Sequence, residues 1–123
     1  MSIWEMLWDA LSPIGLPVVR DFYDPDADPE NLDGGMPEAY IVCNLSDQRP
    51  DLWADDQPDT DASVWQVHYF NRASVNRMRT IRRALRQTGF TIGSLAETYE
   101  SDTKYRHAIL NVSICVPSEE VEE

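Results

Sequence analysis

The sequence predicts an α+β domain: two helices on one face of a mostly antiparallel or mixed sheet of four to five strands. Two observations carry this. Apolar residues alternate with a period of two in several separate stretches, and they recur at three- and four-residue steps in only two. Their order along the chain is helix, two strands, strand, helix, hairpin, which suits helices gathered on one side of a sheet.

The first helix spans Ser2 to Leu11. Ile3, Met6, Leu7 and Ala10 have helical spacing, Ser2 is the cap and Pro13 ends the run. Trp4 and Trp8 form a second apolar stripe. Leu16 to Tyr23 reads as a short strand, with Pro17 marking its start or a sheet edge. Asp24 to Met36 holds two prolines and two glycines and reads as an exposed loop. Its Asp24, Asp26 and Asp28 have the spacing that opens a calcium loop. Pro29 stands where the sharp turn needs Gly, however, and Gly35 where a bidentate Glu belongs, so calcium is excluded.

Glu38 to Leu45 reads as a central strand, because Ala39 to Cys43 are continuously apolar or aromatic. Ser46 to Thr60 reads as an acidic loop anchored by Trp53. The stretch from Asp61 to Phe90 organises the rest. Trp65, Val67 and Tyr69 share one strand face, and Val64, Gln66, His68 and Phe70 share the other. A helix follows, with Ser74 as the expected cap and Val75, Met78, Ile81 and Leu85 as its apolar stripe. Gly89 stops it, and Phe90 folds back on the last turn. Ile92 to Glu100 is extended, Ser101 and Asp102 turn the chain, and Tyr105 to Val116 is the longest strand. In it Ala108, Leu110, Val112, Ile114 and Val116 face one side and Asn111 and Ser113 the other. One domain over 1–117 is expected, with 118–123 an acidic, disordered tail.

With 123 residues the chain can bury one sizeable core. Its net charge of −12 disfavours binding nucleic acid with the whole surface. It carries no secretory signal pattern and no apolar run of membrane-spanning length, so no membrane partner is expected. Cys43 and Cys115 sit in apolar strands and are expected as two buried, reduced thiols. His68 and His107 lie on different strands with no Cys or carboxylate at ligand spacing, so no zinc site is readable. Asp55, Asp56, Asp59 and Asp61 read as solvated charge. No nucleophile elbow, phosphate loop or dinucleotide fingerprint occurs, so neither enzyme activity nor a cofactor is expected.

The positive charge is concentrated. Six of the ten Lys and Arg residues lie between Arg72 and Arg86 with no acid among them, which leaves four bases against 22 acids elsewhere. On a helical projection Arg72, Arg79, Arg82, Arg83 and Arg86 fall away from Met78, Ile81 and Leu85. Such a stripe is either a solvated face or a docking face for an acidic surface, and another copy of this chain is the nearest acidic surface.

Several stretches together resemble the small tail terminator, or tail completion, proteins of long-tailed phages and prophages. They are Ala54-Asp55-Asp56, the strand Val64 to Phe70, the helix ending in Leu85 with Gly89-Phe90 after it, and Glu97 to Thr103 leading into Tyr105-Arg106-His107. Gly15-Leu16-Pro17-Val18 and the Pro37 to Val42 strand also fit. The likeness spans nearly the whole chain as individual positions, and the Asp24 to Gly35 loop is longer than the family's. The resemblance implies a virion protein, assembled in the host cytoplasm into a ring, typically of six copies. The ring caps the tail tube, meets the head connector and lets DNA through its lumen. The charge pattern suits head-to-tail contacts between copies, with Arg72, Arg79, Arg82, Arg83 and Arg86 facing a neighbour's Asp55 and Asp56, and Trp53 as an apolar anchor. A head-side connector or stopper subunit, and an acidic DNA-mimic inhibitor, are the alternatives.

Overall fold

The structure is a computed structural model that describes residues 2–28, 35–50 and 60–117. Two helices lie on one face of a five-stranded mixed sheet, as the patterning predicts. Helix α1 (Ile3–Leu11) begins with a reciprocal cap. The Glu5 N–H donates to Ser2 Oγ, and the Ser2 N–H donates to Glu5 Oε1. This contact lowers the Glu5 pKa, through the bonds to Ser2. A 3-10 turn (Ser12–Ile14) contains Pro13, and Gly15 ends it in the left-handed region at φ 94°.

Strand β1 (Val18–Arg20) runs parallel to β2 (Ala39–Pro50) and forms one sheet edge. β2 pairs antiparallel with β3 (Thr60–Asn71), and β3 pairs with β5 (Arg106–Pro117). β4 (Thr91–Tyr99) forms the other edge, against β5, which sets the order β1-β2-β3-β5-β4. Helix α2 (Met78–Thr88) crosses between β3 and β4.

The core lies between the helices and one face of this sheet. Ile3, Leu7 and Leu11 of α1 and Ile81 and Leu85 of α2 meet Ile41, Cys43, Trp65, Val67, Tyr69, Leu110 and Val112. The period-two reading of β3 is correct, because Ser63, Trp65, Val67 and Tyr69 are all buried. The indole N–H of Trp65 donates to Ser63 Oγ at 3.0 Å, so the large ring is buried without an orphaned donor.

Three expectations need correction. The second helix begins at Met78, not after Ser74; Arg77 occupies its N-cap, and Val75 is 59% exposed. The buried Asn71 explains the delay. Its Nδ2 donates to Val75 O and its Oδ1 accepts from the Ala73 N–H, so 72–77 is fastened as a loop. Tyr69 Oη then accepts the Arg77 N–H, and Asn76 Oδ1 accepts that of Met78. Ser46 to Pro50, expected in a loop, belong to β2, which continues to Pro50 against β3 past a register shift between Leu45 and Asp47; the remainder of that expected loop up to residue 59 lies outside the described residues. Cross-strand pairing here overrides weak strand propensity. Cys115 is exposed, because it pairs with Ala62 on the face that the helices leave bare. Cys43 is buried, and burial pushes its thiol up to about 12.

The other helix boundary is as expected. Gly89 caps α2 at φ 107°, and the Phe90 N–H returns to Leu85 O at 3.0 Å. The expected acidic tail over 118–123 lies outside the described residues.

Candidate assembly surface and the uncovered sheet face

The two helices pack against each other over the sheet, and beyond that contact α1 touches β1 whereas α2 touches β4. Since β1 and β4 are opposite edges, the molecule has two distinct flanks. On the β4 flank, Ile81 and Leu85 point into the core, which turns Arg79, Arg83 and Arg86 to solvent and leaves Arg82 half-buried. Among the described residues none of these four has a carboxylate partner.

The opposite flank is apolar and acidic. Trp8, Pro13, Leu16, Val18 and Phe22 line a groove together with Asp24 and Asp28. Phe22 is 71% exposed and Trp8 48%, a large apolar area for a surface. Tyr23 Oη donates to Asp28 Oδ2 at 2.8 Å, and Asp24 Oδ1 accepts the Asp26 N–H, so this rim is shaped by its own contacts.

Arg72 does not join the helix stripe. It leaves β3 on the bare side of the sheet, where its guanidinium lies 4.7 Å from the Tyr105 ring centre. Its nitrogens donate to Met36 O at 3.0 Å and Thr103 O at 3.4 Å, and Nε lies 3.7 Å from Glu38 Oε1. It ties two loops over a second, smaller cluster of Tyr40, Val42 and Tyr105. Trp53, Asp55 and Asp56, the other expected interface residues, lie outside the described residues.

The bare face also carries an arrangement that sequence reasoning missed. Tyr40 stacks on Phe70 with ring centres 4.6 Å apart, and Phe70 stacks on His107 at 4.1 Å. Burial, followed by the charge of nearby Tyr105 and Glu100, raises the Tyr40 hydroxyl to about 12. Beside this stack, His68 Nδ1 and His107 Nε2 lie 2.8 Å apart. Each outer ring nitrogen faces an oxygen: His68 Nε2 is 3.2 Å from Gln66 Oε1, and His107 Nδ1 is 3.4 Å from Glu100 Oε2. Burial, and then the neighbouring His107, lowers the His68 pKa. Both histidines alternate out of the core on their strands, so their facing the bare side was readable. Their meeting was not, because it depends on the β3–β5 register, in which Phe70 lies opposite His107.

No protein-family model matches the chain, and no curated protein matches it. Among the described residues, no helix is long and apolar enough to cross a membrane.

Proposed function

We propose that this chain is a ring-forming structural subunit of a phage tail, a tail terminator that caps the tail tube and meets the head connector. The observation that carries the reading is the exposed Arg79, Arg83 and Arg86 row on the flank opposite an acidic, apolar groove. Ring closure needs two different patches on opposite sides of a subunit, each complementary to the other. The helix row supplies cations on the β4 flank, and Asp24 and Asp28 supply anions beside β1. Phe22 and Trp8 add apolar area there, and buried aromatic anchors rather than rim charges carry affinity. With a net charge of −12, copies repel at long range unless such patches meet, which sets their orientation. A negative remainder also suits a lumen through which DNA passes. The resemblance along the chain names the tube and the connector as the ring's neighbours.

The charge-reversed variant Arg79→Glu/Arg83→Glu/Arg86→Glu tests this reading. Assembly should be lost while the fold survives, because these side chains lie away from the core and exposed charges add little to stability. A triple variant that still forms rings removes the helix from the interface. Assembly with the connector but not with the tube protein would move the subunit to the head side of the joint.

A further inference from the structure

The geometry points to a divalent transition-metal site on the bare sheet face, in which His68 Nδ1 and His107 Nε2 are the two protein ligands and water completes the shell. Glu100 Oε2 lies 3.4 Å from His107 Nδ1 and Gln66 Oε1 3.2 Å from His68 Nε2, and oxygens so placed favour an N–H on each outer nitrogen. In that tautomeric state the inner nitrogens turn lone pairs toward each other across 2.8 Å, a gap that either the proton of an N–H···N hydrogen bond or a metal ion bridges.

Metal-binding histidines ordinarily have this surrounding shell, with the far N–H held by a carboxylate or carbonyl oxygen that fixes tautomer and ring orientation. Glu100 at 3.4 Å and Gln66 at 3.2 Å stand in the positions of that shell here. Phe70 stacks on His107 and restricts its ring further. Zinc–nitrogen bonds of about 2.0–2.1 Å place two ligands of a tetrahedral ion about 3.3 Å apart, so the rings must part by about half an ångström. Both side chains lie on the sheet face away from α1 and α2, so such a movement leaves the main core untouched and shifts only the stacked contact with Phe70. Imidazole suits Zn²⁺, Cu²⁺ and Ni²⁺, whereas Mg²⁺ and Ca²⁺ prefer oxygen ligands. Among the described residues no group of three or more His, Cys, Asp and Glu is arranged to hold an ion, so the site is a two-imidazole one. It joins β3 to β5 and is separate from the proposed ring contacts.

Calorimetric titration of the full chain with Zn²⁺ and, separately, Mg²⁺ tests the site. One equivalent of Zn²⁺ should bind saturably, with no matching Mg²⁺ event. His68→Gln or His107→Gln should abolish it, and Glu100→Gln should weaken it about tenfold. In the wild-type protein, Zn²⁺ should shift the imidazole NMR signals of His68 and His107 together. That readout stands even where a variant folds poorly. No saturable Zn²⁺ binding, binding that survives loss of both histidines, or imidazole signals unmoved at saturation would overturn the proposal.

Discussion

Cys43 and Cys115 show how one residue type takes opposite characters on a single sheet. Cys43 faces the helices and is fully buried, while Cys115 faces outward beside Ala62. Thiol labelling of the native protein should therefore give one fast and one slow site, because the thiolate is the reacting form and burial disfavours it. Two slow sites would contradict the placement of Cys115. The same burial links stability to pH. In the unfolded chain the Cys43 thiol ionises near 8.5, whereas in the fold it stays protonated up to about 12. Its contribution is fully present below the unfolded value and is lost as pH rises toward the folded one. Tyr40, also raised to about 12, adds to this loss at the upper end of the window. Thermal melts should fall between pH 8.5 and 11, and Cys43→Ala should flatten that fall while lowering the melting point at neutral pH. An unchanged alkaline slope in the variant would remove Cys43 as its cause.

At the level of elements, α2 has a well-defined end and an unexpected beginning. Gly89 takes φ 107° with no close neighbour beyond Ile114 Cδ1 at 3.9 Å, so Gly89→Ala meets backbone strain rather than a clash. Its expected cost is about 1–2 kcal/mol. Ser74→Ala should cost less than about 0.5 kcal/mol, because Ser74 does not cap the helix. Asn71→Ala should cost about 1–3 kcal/mol, since it frees the buried ends of two hydrogen bonds that hold 72–77. Chemical denaturation of the three variants checks this order, and a costly Ser74→Ala would restore the earlier helix start. These two ends also show what a sequence discloses. A left-handed Gly followed by a returning Phe leaves a local signature, and it was readable. Asn71 delays the helix through contacts made only after β3 is folded, so Ser74 looked like a cap. The strand faces were readable from Trp65, Val67 and Tyr69, whereas the Ser46 to Pro50 extension depends on pairing with β3 and was not.

For the whole molecule, the α+β class and the placement of both helices on one face followed from periodicity together with the order of the elements along the chain. The Arg79, Arg83 and Arg86 row was legible for the same reason, since helical spacing separates it from Ile81 and Leu85. Arg72 was misgrouped because it precedes the helix, and only the fold turns it toward Tyr105. Trp8 stood out in the sequence as part of a second apolar stripe, but the acidic, aromatic groove beside β1 was missed because Phe22 read as an ordinary strand residue, and its exposure depends on which neighbours cover it. The flank-to-flank arrangement is the central claim. Native mass in dilute buffer, with and without tail-tube protein, measures it most directly when wild type and the Arg79→Glu/Arg83→Glu/Arg86→Glu variant are run side by side. A discrete closed oligomer of wild type, weakened by salt and absent for the folded variant, is the expected result. Wild type that remains a monomer at every concentration and ionic strength, with tube protein present, would contradict it.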